Sequence, residues 1–212
     1  MSLTVSWKKE WKAISSFDQW GRQELLALSK EHIKYLKPKK TDYLLDIGCN
    51  DGLFDVMLSP LVRRIDAIDI MPRHLKGYPN LHMRKGDILR LPQKKYDIVL
   101  CGSVLHYLRD LGEVTQAFEN MSRVTKRRAF CTLIPNSKYK QQYLAGIWKL
   151  HKTNKEKRFI YGRNNAALWI DPNALRAIAR EAGFKPQIVK IPSMIWQSWY
   201  MFSMVLEKPR RK

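Results

Sequence analysis

The chain is predicted to be an α/β protein, with one doubly wound sheet of about seven strands and a helical cap at its N-terminus. Short apolar runs alternate with segments of helical periodicity from Tyr43 to Ile134. Such alternation implies βαβ units and a parallel sheet covered on both faces. The first run, Tyr43-Leu44-Leu45-Asp46-Ile47, ends at an acid and enters a glycine turn, where open α/β sheets bind their ligands. The length, 212 residues, fits one domain that buries about 70% of its unfolded surface without disulfides or a metal.

The elements follow in order. From about Trp7 to Lys37 the spacing of Leu25, Leu26, Leu28, Ile33 and Leu36 predicts one or two amphipathic helices. Pro38 stops the pattern and Lys37 to Lys40 form a basic connector, so residues 1–40 read as a cap and 41–212 as the main domain. Leu53 to Leu61 is a helix, Arg64 to Ile70 the second strand, Leu81 to Lys85 the third and Tyr96 to Cys101 the fourth. Glu113 to Val124 is a helix and Arg128 to Ile134 the fifth strand. A helix over Lys138 to His151 and a basic segment from Lys152 to Arg163 form an insert at about 136–165. Asp171 as N-cap and Pro172 at the first position start a helix that Gly183 ends. Strands near Pro186 to Ile191 and Trp199 to Glu207 close the chain, with Trp196 to Tyr200 expected as a hairpin packed on the core.

With 45% hydrophobic and 27% charged residues the composition is globular. No apolar run reaches membrane-span length, and the first residues lack a charged start followed by an apolar stretch. These features lead to an expectation of a cytoplasmic protein, peripheral to a membrane at most. Cys49, Cys101 and Cys131 are too dispersed for a disulfide framework or zinc site, and they read as small buried hydrophobes at strand ends. Lys plus Arg number 39 against 19 Asp plus Glu, a net charge of +20. That excess favours RNA, DNA or an anionic membrane surface as partner. A basic protein with no such partner is the plainer alternative, since the lysines are spread along the chain.

The strongest motif is Leu44-Leu45-Asp46-Ile47-Gly48-Cys49-Asn50-Asp51-Gly52. Its glycines let the backbone turn tightly and approach a ligand, and Asp46 is placed to meet a cationic amine. The spacing is not that of a dinucleotide fingerprint. It resembles motif I of the class I methyltransferases that use S-adenosylmethionine (SAM): Asp46, Gly48 and Gly52 match, and Asn50 stands where a middle glycine is usual. Asn tolerates left-handed backbone angles better than most residues.

The resemblance continues through most of the chain. Asp69 ends the second strand 23 residues after Asp46, where the family holds both ribose hydroxyls. Gly86-Asp87-Ile88 follows the third strand, where the family contacts adenine, and Tyr96 to Leu108 resembles its fourth strand and loop. Asp171 to Phe184 is similar to the helix and glycine before its sixth strand. The resemblance therefore implies a Rossmann-like, mostly parallel sheet with an antiparallel last strand. It implies SAM as cofactor and S-adenosylhomocysteine (SAH) as product, bound by Asp46, Gly48, Cys49, Asn50, Gly52, Asp69, Ile70, Asp87, Ile88, Gly102 and Ser103. Any one of the acids could be a helix cap or turn residue; the set in order is what carries the reading.

A sulfonium is already a strong methyl donor, so the protein mainly aligns the reactants, an effect worth roughly 7–11 kcal/mol. A base is needed only for an acceptor that arrives protonated. His106, after the fourth strand and expected to face the cleft, is the candidate base, and Tyr107 a candidate pocket residue. No metal constellation is present in the sequence. Cys101-Gly102-Ser103-Val104 stands where DNA-type base methylases carry an Asn/Asp-Pro-Pro-Tyr-like segment, which disfavours that chemistry. Ser103 to Leu108 looks more like the branch that methylates small molecules, lipid precursors and sugars, with some tRNA enzymes.

The cap carries Trp7, Lys8, Lys9, Trp11, Lys12 and Trp20, and the insert Tyr139, Lys140, Tyr143, Trp148, Lys149, Lys152, Lys155, Lys157, Arg158 and Arg163. Aromatics interleaved with cations stack on bases and hold phosphates, or seat a helix at an anionic membrane. They also simply pack on the domain. The leading expectation is an O, N or C nucleophile of a small or lipid-like, anionic acceptor. RNA methylation is the alternative, and a non-catalytic scaffold of the same fold a second one.

Overall fold

The computed structural model describes residues 21–73, 77–146 and 167–209. Helix α1 (Arg22–Leu36) begins where the Glu24 side chain accepts from the Gly21 N–H, and closes on Lys37 in a left-handed cap before Pro38. The sheet strands are β1 (Tyr43–Ile47), β2 (Arg64–Asp69), β3 (Leu81–Lys85), β4 (Tyr96–Gly102), β5 (Thr125–Pro135), β6 (Lys185–Lys190) and β7 (Met201–Glu207). Between them lie α2 (Leu53–Leu58), α3 (Leu111–Val124), α4 (Lys140–Leu144) and α5 (Pro172–Glu181).

One seven-stranded sheet runs in the order β3-β2-β1-β4-β5-β7-β6. β1 to β5 pair in parallel, and β7 pairs antiparallel with both β5 and β6. The strand period of two divides the core. Leu45, Ile47, Val99 and Cys101 point into a cluster with α3 and α5, whereas Leu44, Ile98 and Leu100 share the opposite cluster with Leu36 of α1 and Leu58 of α2. Both faces are thus covered, as a doubly wound sheet requires. All three cysteines are buried. Edge strand β6 carries Lys185, Pro186 and Lys190 on the rim, residues that discourage pairing with another chain.

β1 and β3 have the expected bounds, and Asp171 accepts from the Asn173 and Ala174 N–H groups to cap α5. Other bounds shift by up to three residues, the helix expected to Leu61 ending at Leu58 before a 3-10 turn at Ser59–Leu61, and three expectations change in substance. β5 is longer than Arg128 to Ile134 because it is paired on both sides, by β4 and β7. The helix expected from Lys138 is a 3-10 turn at Ser137–Tyr139 followed by α4. That helix stops after Leu144, where the Gly146 N–H turns back to the Tyr143 carbonyl with φ +85°. Residues 147–151 of that expectation lie outside the described residues. Trp196 to Trp199 form a 3-10 turn instead of strand, because their rings pack with Tyr143, Trp169 and Tyr200 in a cluster beside the sheet. No helix among the described residues is long and apolar enough to cross a membrane.

Candidate active site

The chain leaves β1 towards β2 on one side, while β4 pairs on its other side. The crevice outside such a reversal is the ligand position of open α/β sheets. A cavity of about 580 Å³ lies there, within the range of small-molecule sites. Asp69, Ile70, Asp87 and Ile88 line it outside β2 and β3. Asp46, Gly48, Cys49, Asn50, Gly102 and Ser103 line its middle, outside β1 and β4. Thr132 and Leu133 of β5, with His32 of α1 and Phe54 of α2, line the remaining end.

Backbone hydrogen bonds hold the glycine turn. The Gly48 and Cys49 N–H groups both donate to the Ile68 carbonyl, at 2.7 and 3.1 Å. Gly48 has φ +83°, and a Cβ there would overlap the Val104 side chain. Asp69 accepts from the Asn50 N–H at 3.0 Å and from the Met71 N–H at 2.8 Å. Its carboxylate is thereby locked against the cavity with one lone pair of each oxygen still available. Asp87 accepts from the Leu89 N–H at 2.9 Å. Three residues that line the cavity, Asn50, Ser103 and Leu133, have φ of 49°, 57° and 60°. Such angles cost non-glycine residues about 1–3 kcal/mol and collect at functional sites. At Leu133 the cause is an irregular register between β5 and β7.

The electrostatics are unusual in the middle of the wall. Asp46 is buried (4% exposed), and burial first, then the charge of Asp69, raises it to about 7. Asp55 in the first turn of α2 is fully buried and raised well above the carboxylate range by burial and by Asp46. Burial and the surrounding acids push the Cys49 thiol up, so it is no nucleophile. His32 is 2% exposed, its ring 4.8 Å from Phe54 and 5.9 Å from Phe130, and burial lowers it to about 3.

Of the residues expected to hold the cofactor, all but Gly52 line the cavity. Gly52 sits one step back, as the N-cap of α2 with φ +74°. His106 corrects an expectation: it is buried (7% exposed) and does not line the cavity, whereas Tyr107 does. The two lie in a 3-10 turn, Leu105–Tyr107, where successive side chains point about a third of a turn apart. Tyr107 faces the cavity, and the buried His106 ring lies against it, 4.1 Å between ring centroids. Sequence reading missed His32 and Asp55. His32 carried a signal, since Leu28, His32 and Leu36 recur at the four-residue spacing of the buried face of α1.

The aromatic insert is visible only in part. Tyr143 is buried among Trp169 and Tyr200, so it packs on the domain, while Lys140 is exposed. Trp7, Lys8, Lys9, Trp11, Lys12 and Trp20, and Trp148, Lys149, Lys152, Lys155, Lys157, Arg158 and Arg163, lie outside the described residues.

Comparison with known proteins agrees with this fold. The family model described as nodulation protein S (NodS) matches residues 5–142. Nodulation protein S of Bradyrhizobium diazoefficiens is 28% identical over 118 residues, covering 50% of this chain and 52% of that relative. The match thus spans about half the length of that curated relative. Among solved structures, the N-methyltransferase NodS of Bradyrhizobium japonicum WM9 in complex with SAH superposes with a TM-score of 0.71 at 16% identity. That match covers 97% of this chain and 98% of that one. Magnesium protoporphyrin IX methyltransferase of Synechocystis with bound SAH superposes with a TM-score of 0.65 at 16% identity, covering 97% and 94%. The fold is the one these methyltransferases share.

Proposed function

Because the chain belongs to the nodulation protein S family, we propose that it is a SAM-dependent methyltransferase acting on a small, amine-bearing acceptor. The observation that carries this reading is the cavity itself, which runs past Asp87, Asp69 and Asp46 across the ends of adjacent strands. The residues fit an aminoacyl nucleoside. The missing Cβ of Gly48 lets the turn after β1 close against Val104 at the cavity wall, and Asp69 holds a carboxylate pre-oriented by two N–H groups. Among the described residues no positive group acts on Asp46, which suits an ammonium.

SAM bound here supplies an electrophilic methyl group on a sulfonium. Asp69 would accept from the ribose hydroxyls, each charge-assisted hydrogen bond contributing about 1.5–3 kcal/mol. Asp87 and Ile88 would hold the base. Val104, Tyr107, His32, Phe54 and Leu133 bound the end left for the acceptor. His32 is too weak a base to carry a proton at neutral pH, so it orients an acceptor amine that has already lost its proton to solvent.

That the solved NodS is an N-methyltransferase supports nitrogen as the acceptor atom. The net charge of +20 supports anionic groups elsewhere on the acceptor. The test is transfer of labelled methyl from SAM into a cell extract, split into RNA, protein and low-molecular-weight fractions. Label in the low-molecular-weight fraction is expected. Label in RNase-sensitive material would replace this reading with RNA methylation, whose binding would fall steeply with salt.

A further inference from the structure

A second acid stands behind the cavity wall. Asp46, in β1, lines the cavity, and Asp55 follows it in α2, with neither of its oxygens meeting a hydrogen-bond donor among the described residues. The two carboxyls are within hydrogen-bonding reach of each other. Two carboxylates have no proton between them, so this contact becomes a hydrogen bond only when one is protonated.

Among the described residues, the surrounding groups bring no compensating charge. Asp69 faces the pair from β2, Asp51 and the Cys49 thiol from the turn, and the Cys101 thiol from β4. His32 of α1, packed on Phe54, is held neutral by burial. Two like charges in a desolvated place are far costlier than one charge or none. The pair therefore keeps one proton near neutral pH, consistent with the upward displacement of both acids.

We propose that Asp55 is a concealed second acid of the cofactor-amine site, sharing one proton with Asp46, and that the pair releases this proton to solvent when a primary ammonium binds. Only one O–H bond breaks: the ammonium keeps its protons, and the cation takes over the neutralising role. Asp55 is a positioning residue, acting through Asp46. The inference rests on the SAM reading, and the experiment separates the two.

SAH is titrated into the full-length protein by calorimetry at pH 6 in buffers of different ionisation enthalpy. The same is done with methylthioadenosine, which has the adenosine but no amino-acid arm. Release approaching one proton per SAH is expected, with none for methylthioadenosine. SAH affinity should climb by up to tenfold per pH unit from pH 5.5 and level off above about 7.5. Asp55→Asn should abolish the release and flatten the climb. SAH binding without proton release, or equal release with both compounds, overturns the proposal and leaves the methyltransferase reading standing. Failure of SAH to bind at all removes both. If Asp55→Asn does not fold, the comparison of the two compounds decides alone; if it folds and releases as the wild type does, the pair is not the source.

Discussion

The Val104 side chain occupies the space that a Cβ on Gly48 would need, so the end of β4 and the turn after β1 close on each other with no methyl group to spare. Gly48→Ala would meet that overlap at a left-handed φ, adding about 1–2 kcal/mol of backbone strain to about 1–3 kcal/mol of overpacking. We expect a lower melting temperature and SAH affinity reduced at least tenfold. Adding Val104→Ala should recover part of the stability, and a double-mutant cycle that shows no coupling would refute the contact.

Asp69→Ala removes the acceptor of two backbone N–H groups and, in the proposed role, of two ribose hydroxyls. Binding should suffer more than folding: roughly a hundredfold or more in SAH affinity, from two charge-assisted bonds, against about 1–3 kcal/mol of stability. Calorimetry beside urea unfolding checks this. Proportionate losses would make Asp69 a structural acid.

His32 shapes the acid limb of the stability curve. Its folded value is depressed from 6.5 to about 3, so the unfolded chain binds a proton that the native one refuses. This contribution is complete above 6.5 and is lost as pH falls towards 3, at up to about 1.4 kcal/mol per pH unit. Asp46 works in the opposite sense. Raised from 3.8 to about 7, it contributes fully below 3.8 and loses that contribution as pH rises through 7. His32→Phe should flatten the loss between pH 6.5 and 4.5 in urea titrations; an unchanged slope would place the acid sensitivity elsewhere.

Asp66 is the test of a structural acid. It accepts from Arg64 Nε at 2.7 Å, Lys94 Nζ at 2.8 Å and Tyr96 Oη at 2.9 Å. Burial opposes its charge, but the hydrogen bonds from Lys94, Arg64 and Tyr96 outweigh it and hold its pKa below the usual value of 3.8. Both cations are 42% exposed, so the 3–5 kcal/mol of a buried pair is discounted to about 2 kcal/mol for Asp66→Asn. This contribution is present above 3.8 and lost as pH falls below it, so the gap between variant and wild type should narrow steadily as pH is lowered past 3.8. SAH affinity should be unaffected.

Much of the architecture was readable because it rests on local pattern. β1 and β3 are apolar runs bounded by turn residues, and Asp171-Pro172 is a helix start at any depth. The residues that line the cavity near Asp46 and Asp69 were readable through their place at strand ends. What escaped depends on tertiary packing. An acid in a short helix looks solvated until the fold buries it beside Asp46 and Cys49, which is why Asp55 was invisible. His106 and Tyr107 are neighbours in sequence, and only the turn they adopt decides which one reaches the cavity. The left-handed backbone of Leu133 arises from pairing with β7, about 70 residues away.

The cavity wall has two makers. At the outer ends of β1, β4 and β5 it is main chain, held in conformations that Asn50, Ser103 and Leu133 would not choose alone. Across from β5 it is side chain, supplied by His32 and Phe54 from two helices. The first part is tied to strand pairing and changes only if the sheet changes. The second can be altered one residue at a time without disturbing a ladder. In the proposed arrangement, a protein so built can trade one acceptor for another at His32 and Phe54 while the main-chain part of its wall stays fixed, as a lathe keeps its spindle while the tooling is exchanged.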